Sequence, residues 1–188
     1  ENSSSKKEIS IQNIEKIFKS LTHLSWLDLT GGEVTLREDL IEIIEAIIKN
    51  SGELLIFHIS TNGQLPAKIL ALIKEVLKSG IIPVVNISIE PPNRLTNELR
   101  SAEGAYSKSL ETFRLLKSLK KGYYYFSCTL SDYNINYVDN LILELKRDIP
   151  NFSLSDLHFN VFYNSFHYFQ NQNIDGLAAS TLEKSKGY

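Results

Sequence analysis

Segments with helical spacing of apolar residues alternate with short strand-like segments along most of the chain, and this alternation is the strongest constraint on the fold. Helical spacing is found in residues 9–20, 36–50, 66–79, 104–120 and 136–148. Strand-like runs are found in residues 25–30, 54–60, 83–90, 123–131 and 155–163. Such alternation predicts a parallel sheet built from β-α-β units with right-handed crossovers. Because such a series normally begins on a strand and this one begins on a helix, we expect a further strand upstream, giving six in all.

Each predicted strand carries one apolar and one polar face, because side chains alternate sides along a strand. In the second strand, for example, Leu55, Phe57 and Ile59 alternate with His58 and Ser60. Parallel strands that helices cover on both sides usually read as continuous apolar runs instead. The polar faces therefore point into one shared cavity, which a partial barrel provides near the carboxyl ends of its strands. An open antiparallel sheet with one solvated face is the alternative, and the regular intervening helices argue against it.

The composition excludes several classes of protein. With 188 residues, 43% of them hydrophobic, the chain can form one domain with a buried core. Its 20 basic and 22 acidic side chains give a net charge of −2, which predicts binding neither to nucleic acid nor to an anionic membrane. No apolar run approaches the roughly 20 residues that span a bilayer. The single cysteine, Cys128, excludes an internal disulfide and fits a cytoplasmic location.

The chain is predicted to be a piece of a longer protein, because it begins at Glu1 and contains no methionine. We expect residues 1–163 to form the barrel domain. Residues 164–188 are polar and are predicted to be a tail or the start of a further segment. The four histidines lack ligand-like spacing, and the run Tyr123–Phe126 is interpreted as core packing.

Short polar motifs follow the first three strands. Thr30–Glu33 reads Thr-Gly-Gly-Glu, which combines a backbone that a ligand can approach closely with a carboxylate able to receive a cation. Ser60–Gly63 offers side chains that hydrogen-bond hydroxyl or carboxylate groups. Ser88–Glu90 ends the third strand, and the later Arg100 is suited to binding a carboxylate. Taken singly, each motif is also ordinary turn chemistry.

Together, in this order and at these spacings, the motifs resemble those of radical S-adenosylmethionine enzymes. Residues 26–40 resemble the family's Gly-Gly-Glu segment, residues 60–63 the end of its next strand, and residues 88–112 a strand, an arginine loop and a helix that follow. The resemblance covers about residues 9–160 and implies a (β/α)6 partial barrel. It also implies that the full-length enzyme uses an electron from a 4Fe–4S cluster to cleave S-adenosylmethionine, and that the 5′-deoxyadenosyl radical formed removes hydrogen from a substrate. The implied partners are an electron donor such as ferredoxin or flavodoxin and a peptide or small-molecule substrate.

The resemblance further implies roles for individual residues. Gly31, Gly32 and Glu33 would hold the amino group of S-adenosylmethionine, and Arg100 its carboxylate. Ser60 and Asn62 would lie near its ribose or carboxylate, and Ser88 and Glu90 would reach the ribose hydroxyls or the substrate. The residues expected to border the adenosine or substrate side are Thr129, Asn134, His158 and Asn160.

The sequence departs from the family pattern at several positions. Val34 stands where proline is usual, Glu90 where aspartate is usual, and Ser101 where glycine is usual. The Cys-x3-Cys-x2-Cys loop that ligates the cluster is not in these residues and is expected just before Glu1. We therefore expect no cluster and no radical turnover from this chain alone.

Two other functions stay open at this point. One is a non-catalytic binding or regulatory module of the same fold, which the absence of cluster cysteines in the full gene would favour. The other is an ordinary barrel lyase or isomerase, for which Asp28, Glu33 and Glu90 could supply the carboxylates of an acid–base pair.

Overall fold

The computed structural model describes residues 8–91, 96–97 and 103–161. The helices in these ranges are α1 (Ile11–Ser20), α2 (Leu40–Asn50), α3 (Pro66–Lys78), α4 (Ala105–Ser118) and α5 (Val138–Asp148). The strands are β1 (Trp26–Leu29), β2 (Ile56–Thr61), β3 (Ile82–Ser88), β4 (Tyr123–Leu130) and β5 (Leu157–Val161). None of the helices described is long and apolar enough to cross a membrane.

The strands form one parallel sheet in which the spatial order equals the chain order, β1-β2-β3-β4-β5. Neighbouring strands are in register, so that Ser60 lies beside Asn86, and Ser88 beside Ser127, which in turn lies beside His158. The prediction of an α/β fold with alternating helices and parallel strands, as in a partial TIM-like barrel, is therefore confirmed. The predicted tail and the expected upstream strand lie outside the described residues.

The core lies between the helices and one face of the sheet. Phe57, Ile87 and Phe126 point from three strands into this layer and are at most 1% exposed. Phe113 of α4 stacks on Phe126, with ring centroids 4.5 Å apart. Each fully buried side chain of this kind contributes about 1.5–3 kcal/mol. The predicted apolar strand faces are thus the surfaces that fix the helices against the sheet.

The structure corrects several details of the sequence interpretation. Helix α2 begins at Leu40 and not at Leu36, because Glu33 caps a separate 3-10 turn over Val34–Leu36. Leu55 is 63% exposed, because β2 begins only at the next residue and Leu55 lies outside the buried pleat. The sheet face that was expected to be polar is apolar where the strands begin. There, the first residues of β1, β2 and β3 lie side by side: Trp26, Ile56 and Ile82.

Candidate functional site

The inner face, defined as the face of the sheet opposite the helices, brings most of the predicted site residues together. Its polar side chains stand in rows because neighbouring strands are in register. In order toward the carboxyl ends of the strands, these rows are Asp28 with His58; Ser60 with Asn86 and Tyr125; Ser88 with Ser127 and His158; and Thr129 with Asn160. The polar strand faces therefore share one surface, and the ligand cavity expected over it stays a prediction.

Glu33 ties the end of β1 to the end of β2. Its Oε1 accepts hydrogen bonds from the Thr35 backbone nitrogen at 3.2 Å, the Thr35 hydroxyl at 2.7 Å and the Thr61 hydroxyl at 2.8 Å. Its Oε2 accepts one from the Asn62 backbone nitrogen at 2.6 Å. A carboxylate has about two acceptor positions on each oxygen. Among the described residues, Oε2 therefore keeps an acceptor position for an incoming donor.

Gly31 and Gly32 form an exposed turn directly after β1. A Cβ atom at either position would meet no other atom within 4 Å, so the space beside the turn is open. Gly31 has φ 153°, a backbone conformation that favours glycine. On the helix side, the turn borders a groove of about 560 Å³ between α1 and α2. A ligand can therefore approach the backbone of this turn closely.

The loop after β2 is held against α4. The Thr112 hydroxyl donates to the Gly63 carbonyl oxygen at 2.8 Å, and the Ser109 hydroxyl donates to the Asn62 carbonyl oxygen at 3.2 Å. Gly63 has φ 71°, and a Cβ atom there would lie 3.0 Å from Ile87 Cγ2. Only glycine fits this position, and the loop that carries Asn62 is consequently fixed from two sides.

Asn134 and Glu90 meet where β3 and β4 end. The Asn134 side-chain amide donates to Glu90 Oε2 and to the Thr129 carbonyl oxygen, both at 2.8 Å, and its oxygen accepts from the Ser131 nitrogen at 2.8 Å. Asn134 is only 3% exposed. The Thr96 hydroxyl also bonds the Glu90 backbone nitrogen at 2.9 Å. Asn134 therefore orients Glu90, and its direct contact with a ligand stays a prediction.

The remaining predicted residues of the described range lie on the inner face. Ser60 and Ser88 are half-buried, and the exposed ones are Thr129, His158 and Asn160. The Asn160 amide donates to the Ser127 hydroxyl at 2.7 Å, which connects β5 to β4. Arg100 lies outside the described residues, so its predicted contact with a carboxylate stays untested.

Asn86 stands at the centre of the inner face and was not predicted as a site residue. Its amide donates to the Ser60 hydroxyl at 3.5 Å, whereas its Oδ1 is buried with no hydrogen-bond partner among the described residues. An unpaired buried carbonyl oxygen costs about 1–3 kcal/mol. A hydrogen-bond donor brought by a ligand would remove this cost. The sequence does indicate its orientation, because Asn86 lies between the apolar residues Val85 and Ile87 and therefore points to the opposite, polar face of the strand.

A carboxylate, an imidazole and a phenol lie along a diagonal of the inner face, here called the relay row: Asp28 and His58 are in register, and Tyr125 is two residues further along its strand, in register with Ser60 and Asn86. Asp28 Oδ1 lies 2.8 Å from His58 Nδ1, and His58 Nε2 lies 3.4 Å from the Tyr125 hydroxyl. The Tyr125 ring stacks on His158, with centroids 4.0 Å apart. Burial, together with the charge of Asp28, raises the pKa of Tyr125. The phenol is therefore protonated at neutral pH.

The expectation of core packing for Tyr123–Phe126 holds for Tyr124 and Phe126 and fails for Tyr125 and for Tyr123, which is 67% exposed. Tyr124 and Phe126 are buried at 5% and 0% exposure, whereas Tyr125 is half-buried on the inner face. Tyr125 is two positions before Ser127 in β4, so both side chains point to the same face of the sheet. This alternation could have identified Tyr125 from the sequence.

The residues described do not fit an iron–sulfur cluster. They contain no group of three or more histidine, cysteine, aspartate or glutamate side chains that could hold a metal ion. Cys128 is fully buried on the helix side of β4, and burial raises the pKa of its thiol, with Glu90 adding to the effect. This thiol is therefore structural.

Comparison with models of known protein families gives a match. The family model described as the radical SAM superfamily, where SAM stands for S-adenosylmethionine, matches residues 2–145, well over half of the chain. A search of curated proteins finds no match.

Proposed function

This chain belongs to the radical S-adenosylmethionine superfamily, and we propose that it binds S-adenosylmethionine on the inner face, at the carboxyl ends of the strands. In the full-length enzyme this cofactor, cleaved with an electron from a 4Fe–4S cluster, supplies a 5′-deoxyadenosyl radical that removes hydrogen from a substrate. The observations that carry the proposal are two groups after the end of β1, an open Gly31–Gly32 turn and an acceptor position on Glu33, together with the unpaired oxygen of Asn86 at the centre of the inner face.

The cationic amino group is received at the β1 end. Gly31 and Gly32 are exposed there, with open space beside their Cα atoms, and the next residue, Glu33, adds a negative charge. A hydrogen bond from an ammonium to a carboxylate is about twice as strong as a neutral one. Because Glu33 is fixed by its bonds to β2, this acceptor is already in position before the ligand arrives.

The remaining predicted residues serve the other end of the ligand. Ser60 and Asn62 lie beside the ribose or the carboxylate, which Arg100 also binds. Ser88 donates or accepts hydrogen bonds at the ribose hydroxyls or the substrate, and the Glu90 carboxylate accepts them. The Asn134 amide holds Glu90 in place through a hydrogen bond of 2.8 Å. The residues proposed to border the adenosine or substrate are Thr129, His158 and Asn160.

The cluster is assigned to other residues of the full-length protein, since the described residues do not fit it. We also propose that a ferredoxin or flavodoxin provides the electron, that the substrate is a peptide or a small molecule, and that the enzyme is cytoplasmic. The family membership supports the reductant and substrate in general terms only.

Reductive cleavage by the full-length protein tests this function. The protein is reconstituted anaerobically with iron and sulfide and is then reduced in the presence of S-adenosylmethionine. Methionine and 5′-deoxyadenosine are expected, together with the paramagnetic resonance signal of the reduced cluster. Glu33→Ala is expected to lower product formation, whereas Glu38→Ala, at an exposed position nearby, is not. A protein that shows neither signal nor product is not a radical enzyme.

Ligand titration of this chain tests the site itself. Nuclear magnetic resonance of isotope-labelled protein with S-adenosylmethionine is expected to shift the amide signals of Gly31, Gly32 and Ser88. Methylthioadenosine, which lacks the amino acid end, is expected to shift Ser88 and leave both glycines unchanged. Equal responses of both regions to the two ligands would contradict the proposed orientation.

A further inference from the structure

The relay row has a geometry that the binding of S-adenosylmethionine does not require. Asp28 lies 2.8 Å from His58 Nδ1, so Nδ1 carries the proton of that pair and Nε2 is left as an acceptor. Nε2 then faces the Tyr125 hydroxyl at 3.4 Å. The register of β1 with β2 places Asp28 directly beside His58, and the Tyr125 side chain reaches His58 diagonally from β4.

Removal of an electron from a neutral phenol is easy only when its proton has somewhere to go. His58 provides an acceptor within the same surface, and Asp28 stabilises the imidazolium that forms. The His58 side chain is 14% exposed and that of Asp28 is 52% exposed, so protons exchange with solvent through the Asp28 end of the row. Among the described residues, His158 is a further titratable group that faces Tyr125, and its ring stacks on the Tyr125 ring.

We propose that Tyr125 is a redox-active tyrosine that donates a hydrogen atom to a carbon-centred radical on the inner face, with His58 and Asp28 as its proton-exchange partners. The role in turnover rests on the proposed function. The O–H bond of Tyr125 breaks and a C–H bond forms on the radical carbon, which leaves a neutral phenoxyl radical on Tyr125. One electron from an iron–sulfur or flavin protein and one proton delivered by way of His58 restore the phenol.

Photo-oxidation of this chain tests the redox activity without cluster or cofactor. A photo-oxidised ruthenium polypyridyl complex accepts the electron, and the proton of Tyr125 passes to His58 Nε2. We expect a phenoxyl component in the paramagnetic resonance spectrum that is lost in Tyr125→Phe and kept in Tyr133→Phe, whose ring is 72% exposed.

Two histidine variants test whether His58 accepts the proton of Tyr125 or only supports the structure around it. His58→Gln is expected to slow formation of that component about a hundredfold, the usual contribution of a positioned base. His23→Gln is the matched control, because His23 also pairs with a carboxylate, at 3.1 Å from Glu53, but on the surface. Far-ultraviolet circular dichroism establishes that each variant is folded. A component that survives in Tyr125→Phe, or that forms equally fast in both histidine variants, overturns the proposal.

The hydrogen-donor role is read separately in the full-length protein. Without substrate and in deuterium oxide, we expect 5′-deoxyadenosine to acquire deuterium from the exchanged Tyr125 hydroxyl, and Tyr125→Phe to lose this label. Unlabelled 5′-deoxyadenosine from the parent overturns hydrogen donation by Tyr125 but leaves the proposed function standing. Absence of any 5′-deoxyadenosine refutes the proposed function and the donor role with it, whereas the photo-oxidation result still decides whether Tyr125 is redox-active.

Discussion

Truncation of Glu33 to alanine should destabilise the fold as well as weaken ligand binding. The change removes the acceptor of four hydrogen bonds, two from Thr35 and one each from Thr61 and Asn62. Thr35 and Thr61 are 0% and 2% exposed, so their hydroxyl groups cannot turn to water instead. A single hydrogen bond to a charged group contributes about 1.5–3 kcal/mol. Because the four bonds share one half-buried carboxylate and are not additive, we expect a loss of about 3 kcal/mol.

Urea unfolding followed by circular dichroism measures this loss. A change of about 3 kcal/mol corresponds to a fall of about 10 °C in melting temperature for a chain of this size. Glu33→Gln should lower the free energy of unfolding less than Glu33→Ala, because the glutamine oxygen can keep the bonds to Thr35 and Thr61. The bond to the Asn62 nitrogen is lost in both variants, since the glutamine NH₂ group is itself a donor. Glu38→Ala controls for loss of a nearby surface charge. If the free energies of unfolding of Glu33→Ala and of this control differ by less than about 0.5 kcal/mol, the carboxylate does not hold the two strand ends together.

Three further predictions concern the residues around the site. Asn134→Ala should lower the free energy of unfolding by about 1–3 kcal/mol in urea titrations, because it removes the part-buried hydrogen bonds that the Asn134 side chain makes to the Ser131 nitrogen and the Thr129 carbonyl oxygen. Gly63→Ala and Gly80→Ala both place alanine at positive φ, which costs about 1 kcal/mol of backbone strain in each variant. Because only position 63 of the two is also crowded, calorimetry should show a larger fall in melting temperature for Gly63→Ala. Burial raises the pKa of Tyr124 to about 12, whereas tyrosine in the unfolded chain ionises near pH ~10. Burial of the neutral Tyr124 ring therefore contributes its full stabilisation below pH ~10, and this contribution is lost as the pH rises to about 12. Unfolding in urea at a series of alkaline pH values should therefore show a shallower decline for Tyr124→Phe than for Tyr123→Phe, which removes an exposed ring.

The fold could be predicted because two local patterns determine it. The alternation of Phe57 and Ile59 with His58 and Ser60 identified which face the helices cover, and the structure buries both apolar residues at 1% or less. Short connections through single helices then left little choice but strands in chain order. Boundaries were less predictable, because a side-chain cap such as Glu33 can convert the expected first turn of a helix into a separate 3-10 turn.

The contacts that shape the site could not be predicted, because they join residues distant in sequence. Glu33 binds the Thr61 hydroxyl across 28 positions, and Asn134 binds Glu90 across 44. A motif gives the residue type but not its partner, so Asn134 was expected as a ligand contact and is found orienting Glu90. Tyr125 was missed for a different reason: a run of aromatic residues gives no period by itself, and the alternation has to be extended back from Ser127 to show that the Tyr125 ring faces the inner surface.

These long-range contacts bind each strand end to the next element of the barrel. Glu33 joins the first two strand ends, Thr112 and Ser109 join the second to α4, and Asn134 joins the third to the fourth. A ligand that touches several strand ends therefore meets groups whose spacing is already fixed, and it loses less free energy in ordering them. The relay row lies deeper in the sheet: the register of β1 with β2 aligns Asp28 with His58, and Tyr125 reaches His58 diagonally from β4. It follows that substitutions at the strand ends should change ligand affinity and leave the oxidation of Tyr125 unchanged, so that the two parts of the inner face can be altered independently.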